Sequence, residues 1–123
     1  NPDGHLVLRG GKRGTNYHPE AVEEAAAELA KAGLPARVMV DCSHGNSNKD
    51  YRRQGEVAEQ VAEQLRAGSG HVMGVMLESH LTAGSQKIPS DLSQLTYGQS
   101  ITDACIDLAS TSEVLETLAE SVR

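Results

Sequence analysis

An α/β fold is predicted by two patterns in this 123-residue sequence. Short, continuously apolar runs alternate with longer stretches in which apolar residues recur every three or four positions. Glycine or proline punctuates nearly every change between the two. Strands alternating with helices of this length pair in parallel through crossovers. Two architectures satisfy that order: a doubly wound sheet, or a piece of a (β/α)8 barrel, since a whole barrel takes about 200–250 residues.

Each element follows from its local pattern. His5-Leu6-Val7-Leu8, stopped by Arg9-Gly10-Gly11, reads as a strand over about 5–9 entering a glycine turn. Pro19 suits a first helical position, Val22, Ala25, Ala26 and Leu29 form a stripe, and Gly33 suits the stop, giving a helix over about 19–32. Val38-Met39-Val40 predicts a strand over about 37–42, covered on both faces. A second helix is expected over about 50–67, capped by Asp50, with Val57, Val61 and Leu65 four apart and Gly68 beyond. Val72 to Leu77 is a third apolar strand, over about 72–78. Residues 79–99 carry Gly84, Pro89 and Gly98 with little periodicity and read as a long functional loop. Two closing helices are expected, over about 102–108 and 111–122, the latter opened by the capping-box pattern Ser110-x-x-Glu113.

Composition narrows the class. Eleven basic and 17 acidic side chains give a formal charge of −6, which excludes a nucleic-acid binder relying on a basic face. No apolar run approaches the roughly 18–20 residues of a membrane span, and the opening residues do not read as a signal peptide. Cys42 and Cys105 are too few for a secreted disulfide framework and read as reduced thiols of a cytoplasmic protein. With no Trp, no Phe and three Tyr, the core must be aliphatic.

In parallel sheets ligands lie beyond the carboxyl ends of the strands. Arg9 with Gly10-Gly11-Lys12 follows the first strand, Asp41 to Ser47 with His44 follows the second, Glu78 to His80 follows the third, and Asp103 comes after the long loop. His44, Glu78 and Asp103 make a mixed nitrogen and oxygen set suited to a divalent metal such as Mn²⁺, Fe²⁺, Co²⁺ or Zn²⁺. The same residues also read as a loop histidine, a solvated carboxylate and a helix N-terminal charge. Arg9 before paired glycines suggests an anion site, its guanidinium fork matching carboxylate or phosphate. Lys49, Arg52 and Arg53 read as a solvated basic face or as an attraction for phosphorylated substrates. His80 reads as an exposed loop histidine or as a partner or alternative ligand beside Glu78, and His5, His18 and His71 as structural. Cys42 near His44 is the only candidate nucleophile pair.

Four strings are specific enough to carry a resemblance: Leu8 to Lys12 with Asn16-Tyr17, Met39 to Lys49, Gly74 to His80, and Tyr97-Gly98 with Ser100 to Cys105. Together they resemble, from end to end, the type I 3-deoxy-D-arabino-heptulosonate 7-phosphate (DAHP) synthase family. The resemblance implies a (β/α)8 barrel, of which this chain would supply the last three βα units. It implies condensation of phosphoenolpyruvate with erythrose 4-phosphate, the first step of the shikimate pathway. His44, Glu78 and Asp103 match three of the family's four metal ligands, and neither Cys42 nor Cys105 takes the place of the fourth, a cysteine. Arg9 matches an arginine that binds phosphoenolpyruvate, and Lys12 beside it is taken as substrate-binding. His44 is further expected to assist proton transfer. The parent enzyme is expected to be a homo-oligomer, and the 123-residue chain alone to be inactive and to self-associate. The competing expectation is a stand-alone, non-catalytic metal- or phosphate-binding module, or a piece that complements missing strands.

Overall fold

The computed structural model describes residues 3–123. Strand β1 (Leu6–Leu8) leads to helix α1 (Pro19–Lys31), strand β2 (Val38–Asp41), helix α2 (Gln54–Arg66) and strand β3 (Val72–Met76). The described residues then form β4 (Thr82–Ser85), β5 (Gln99–Ser100) and helix α3 (Leu108–Ser121). The first three strands form one parallel sheet in the order β1-β2-β3, with Leu8 opposite Val40 and Val40 opposite Val75. The alternation of strand and helix therefore produces the mixed α/β, parallel arrangement that the sequence predicts.

Side-chain alternation along β2 sends Val38 and Val40 to one face, where both are fully buried. They pack in one cluster with Leu8, Val22, Val57, Ala58 and Val61, so the helical stripes cover this face. Burying a Val or Leu side chain contributes about 1.5–3 kcal/mol, which makes this aliphatic layer the main source of cohesion. The opposite face is not covered in the same way: Val7 is 38% and Met73 50% exposed. The expectation of strands covered on both faces thus holds on the helical side only. Among the described residues, no strand pairs with the outer edges of β1 or β3.

Helix ends follow the local signals closely. Gly33, at φ +71°, ends α1 while Leu34 N–H donates to the Leu29 carbonyl, a Schellman-type closure. Asp50 does cap the start of the second helical region, accepting from Arg52 N–H, but the first turn, Tyr51–Arg53, is a 3-10 turn before α2 proper.

Three expectations for the chain beyond β3 are corrected. No helix occupies 102–107: residues 101–103 bend, while Cys105 bridges Gly84 and Ile106 bridges Ser79, and Leu108 already belongs to α3. Cys105 N–H donates to the Gly84 carbonyl and Ile106 N–H to that of Glu78, so the donors a helix would need are used in strand-like pairing. The final helix also starts earlier than the Ser110 pattern suggests. Asp107 is its cap, accepting from Ser110 N–H at 2.8 Å, and Ser110 lies inside the first turn. Residues 79–99 are likewise more ordered than a plain loop. β4 and β5 pair in parallel, and the Gln86 side chain bonds the backbone of Thr96 and Gln99.

Candidate metal centre

Three chain segments converge at the carboxyl end of the sheet. His44 lies three residues past the end of β2, in a turn where its own backbone is left-handed at φ +44°. Its Nδ1 lies 2.8 Å from Asp41 Oδ2, and the other oxygen of Asp41 accepts the Ser43 N–H at 2.8 Å. With Nδ1 engaged, Nε2 is the nitrogen left to face outward, 3.7 Å from Glu78 Oε1 and 3.4 Å from Asp103 Oδ2.

Glu78 follows β3 and is fixed through its backbone. The wholly buried Gln54, first residue of α2, donates Nε2–H to the Glu78 carbonyl at 3.0 Å and accepts the Glu78 N–H at 2.8 Å. Ile106 N–H donates to the same carbonyl. This clamp ties the third strand end both to α2 and to the segment that delivers Asp103. Asp103 is the least constrained of the three, with its side chain 66% exposed in the bend before Cys105.

The ligand atoms of His44, Glu78 and Asp103 lie within 4.8 Å of one another. Two donors each about 2.1 Å from one ion, at tetrahedral or octahedral angles, stand roughly 3.0–3.4 Å apart. The observed 3.4 and 3.7 Å are close to that spacing, and one imidazole nitrogen with two carboxylates suits a borderline divalent ion. The donor set therefore fits such a metal.

The two loops above β1 and β2 are sewn together. Gly45 N–H donates to the Arg9 carbonyl at 3.0 Å. The fully buried Asn46 donates to the carbonyls of Leu8 and Asp41 and accepts from Asn16 N–H, while Asn16 Oδ1 takes the Gly10 N–H. Arg9 thus stands on a loop that shares backbone bonds with the His44 turn. Lys12 occupies a tight turn closed by two bonds between Gly11 and Gly14. Both side chains are exposed, and neither forms an ion pair among the described residues.

The remaining candidates are settled by their surroundings. Cys42 is fully buried and its thiol is pushed up to about 12, first by burial and then by the Asp41 charge. A thiol held neutral in this way is no nucleophile. Cys105 is also buried, its Sγ 3.9 Å from Glu78 Oε2, and burial likewise raises its thiol. Both are free cysteines. Arg52 pairs with Asp50 and Arg53 with Glu56 at the surface, consistent with a solvated face. His80 is exposed and accepts the Leu81 N–H, and His71 faces the Ala36 carbonyl at 2.9 Å. A groove of about 460 Å³ lies between α1 and the C-terminal half of α2, lined by Val22, Gln64 and His71; it does not include the triad.

Sequence reasoning assigned no role to Asp41, Asn46 or Gln54. Gln54 did carry a signal: it shares the i, i+3, i+7 register of Val57 and Val61, so it is a polar residue on a buried stripe.

Comparison with known proteins places these observations in context. The family model described as the DAHP synthetase I family matches residues 1–116. The chain is 49% identical, over its whole length, to a putative phospho-2-dehydro-3-deoxyheptonate aldolase of Schizosaccharomyces pombe, of which it covers 34%. It is 47% identical over 99% of its length to the Tyr-sensitive enzyme of that name from Escherichia coli, again covering 34%. The solved structure of the phospho-2-dehydro-3-deoxyheptonate aldolase from Francisella tularensis SCHU S4 superposes with a TM-score of 0.93 at 48% identity. That alignment covers 99% of this chain and 35% of the other. The chain spans about a third of the length of these relatives.

Proposed function

The chain belongs to the DAHP synthetase I family, and from that premise we propose that it forms the last three βα units of a (β/α)8 barrel synthase. That enzyme condenses phosphoenolpyruvate with erythrose 4-phosphate to give DAHP and phosphate. The observation that carries the reading is the convergence of His44, Glu78 and Asp103 within 4.8 Å at the strand ends, where parallel α/β folds place their chemistry.

In this reading His44 Nε2 and the carboxylates of Glu78 and Asp103 hold a divalent ion. When bound, the ion supplies Lewis-acid charge for the aldehyde oxygen of erythrose 4-phosphate or for the attacking water. Arg9 binds the anionic phosphoenolpyruvate and offsets charge that develops as its carbon 3 attacks the aldehyde carbon. Water adds at carbon 2 and phosphate departs, so one C–C bond forms and one C–O bond to phosphate breaks. Lys12 extends the cationic rim for the same anion. His44 has Nδ1 on Asp41 and Nε2 turned to two carboxylates, which favours a ligand role over proton transfer.

The test is a chimera in which residues 1–123 replace the matching third of the Escherichia coli Tyr-sensitive relative. It is expected to make DAHP, and absence of turnover in a folded chimera would count against the reading. In the active chimera, Arg9→Ala is expected to raise the KM for phosphoenolpyruvate about 10- to 100-fold, the worth of a charged hydrogen-bonded contact of about 1.5–3 kcal/mol. Metal affinity should stay unchanged; a KM within twofold of the parent would remove Arg9 from the site.

The open edges of β1 and β3 and the exposed Val7 and Met73 favour a second reading, in which the 123-residue polypeptide acts only by complementing other strands. A barrel needs about eight strands to close. The polypeptide alone is therefore expected to give negligible condensation with added Mn²⁺ and to associate in sedimentation. Robust turnover by the chain itself would contradict that.

A further inference from the structure

We propose that Asp41 is the positioning residue that fixes the tautomer of His44 and so aims the Nε2 lone pair at the space between Glu78 and Asp103. The aspartate is the last residue of β2, and its side chain is almost completely buried. Its position is fixed at three points: Oδ1 accepts the Ser43 N–H, Oδ2 lies 2.8 Å from His44 Nδ1, and its own carbonyl accepts from Asn46 Nδ2. Carboxylates only accept hydrogen bonds, and the 2.8 Å contact from Nδ1 to Asp41 is shorter than the 3.4 and 3.7 Å from Nε2 to Asp103 and Glu78, so the ring's single proton is placed on Nδ1. A neutral imidazole carries one N–H, and Nε2 is then left with its lone pair free for a metal.

The backbone agrees with this purpose. His44 is a non-glycine residue at φ +44°, a conformation that costs energy unless its surroundings enforce it. Here the Lys49 N–H bonds the His44 carbonyl at 2.8 Å, and the Gly45 N–H is held by Arg9. The turn thus presents the ring to Asp41 on one side and to the two carboxylates on the other.

The metal part of this inference rests on reading His44 as a ligand; the tautomer part does not. The experiment records long-range proton–nitrogen correlations of the histidine rings in the ¹⁵N-labelled, metal-free full chain, at a pH of about 8.5, about two units above the ordinary imidazole value. The expected result is His44 protonated at Nδ1 with an unprotonated Nε2. In Asp41→Asn the amide oxygen keeps the Ser43 N–H, and the amide nitrogen then faces Nδ1 as a donor. The ring proton is expected to move to Nε2, and Mn²⁺ affinity to fall about 10- to 100-fold. A wild-type His44 protonated mainly at Nε2 overturns the proposal, as does an Asp41→Asn chain with unchanged tautomer and unchanged affinity. If that variant does not fold, the wild-type tautomer decides. If His44→Ala leaves Mn²⁺ affinity intact while the wild-type ring is protonated at Nδ1, the ligand reading fails and the positioning by Asp41 stands.

Discussion

His44→Ala is expected to lower Mn²⁺ affinity by more than about 100-fold, beyond the 10- to 100-fold that partners of a metal ligand are worth. The imidazole is central to the arrangement, since its Nε2 is within 3.7 Å of both carboxylates. Glu78→Ala should cost nearly as much, because the Gln54 clamp holds this carboxylate's backbone in place before any ion arrives. Preorganisation of that kind is lost with the side chain. Asp103→Ala should cost less, since its carboxylate is 66% exposed and must be ordered on binding. Titration calorimetry on each variant of the chimera gives the three affinities. If all three match the parent, the ligand assignment is wrong.

Gly10→Ala should be strongly damaging for the addition of a single methyl group. A Cβ there would lie 2.6 and 2.7 Å from the Gly45 carbonyl carbon and Cα, and the residue's φ is +77°. Backbone cannot swing aside as a side chain can, so the two loops must part. Left-handed strain and the clash together are expected to destabilise by about 3 kcal/mol. Parting the loops also breaks the Gly45 to Arg9 bond, so the KM for phosphoenolpyruvate should rise as well. Gly11→Ala is the control, with an ordinary φ and no atom within 4 Å of the added Cβ. Urea unfolding of the pair should separate them clearly. Equal midpoints would mean that the close approach of the two loops carries no weight.

Much of the candidate site was readable from the sequence because its residues are concentrated near strand ends. A strand end needs only a local apolar run and a punctuating residue to be located; Glu78 follows such a run directly, and His44 lies three residues past the end of β2. The first two helices were equally legible, since spacings such as Val57, Val61 and Leu65 announce a buried face by themselves. What stayed hidden depends on partners far along the chain. Cys105 and Ile106 are held in strand-like pairing by Gly84 and Ser79, about twenty or more residues away, and no local periodicity reveals that. Asp107 won the capping position from Ser110 because those same pairings bring the chain to it in an extended conformation. Asp41, Asn46 and Gln54 were visible as residues but not as a scaffold. Asn46 and Gln54 act through hydrogen bonds to backbone groups as distant as Leu8 and Glu78, and Asp41 through the His44 ring, which only the left-handed turn between them brings into reach.

Every metal effect expected above depends on a single divalent ion binding where these strand ends meet. Anomalous diffraction at the manganese edge from crystals grown with Mn²⁺ tests it directly. The expected result is one peak about 2.0–2.2 Å from His44 Nε2 and from a carboxylate oxygen of both Glu78 and Asp103. A peak bound by other residues, or no peak between these three at saturating Mn²⁺, would contradict it.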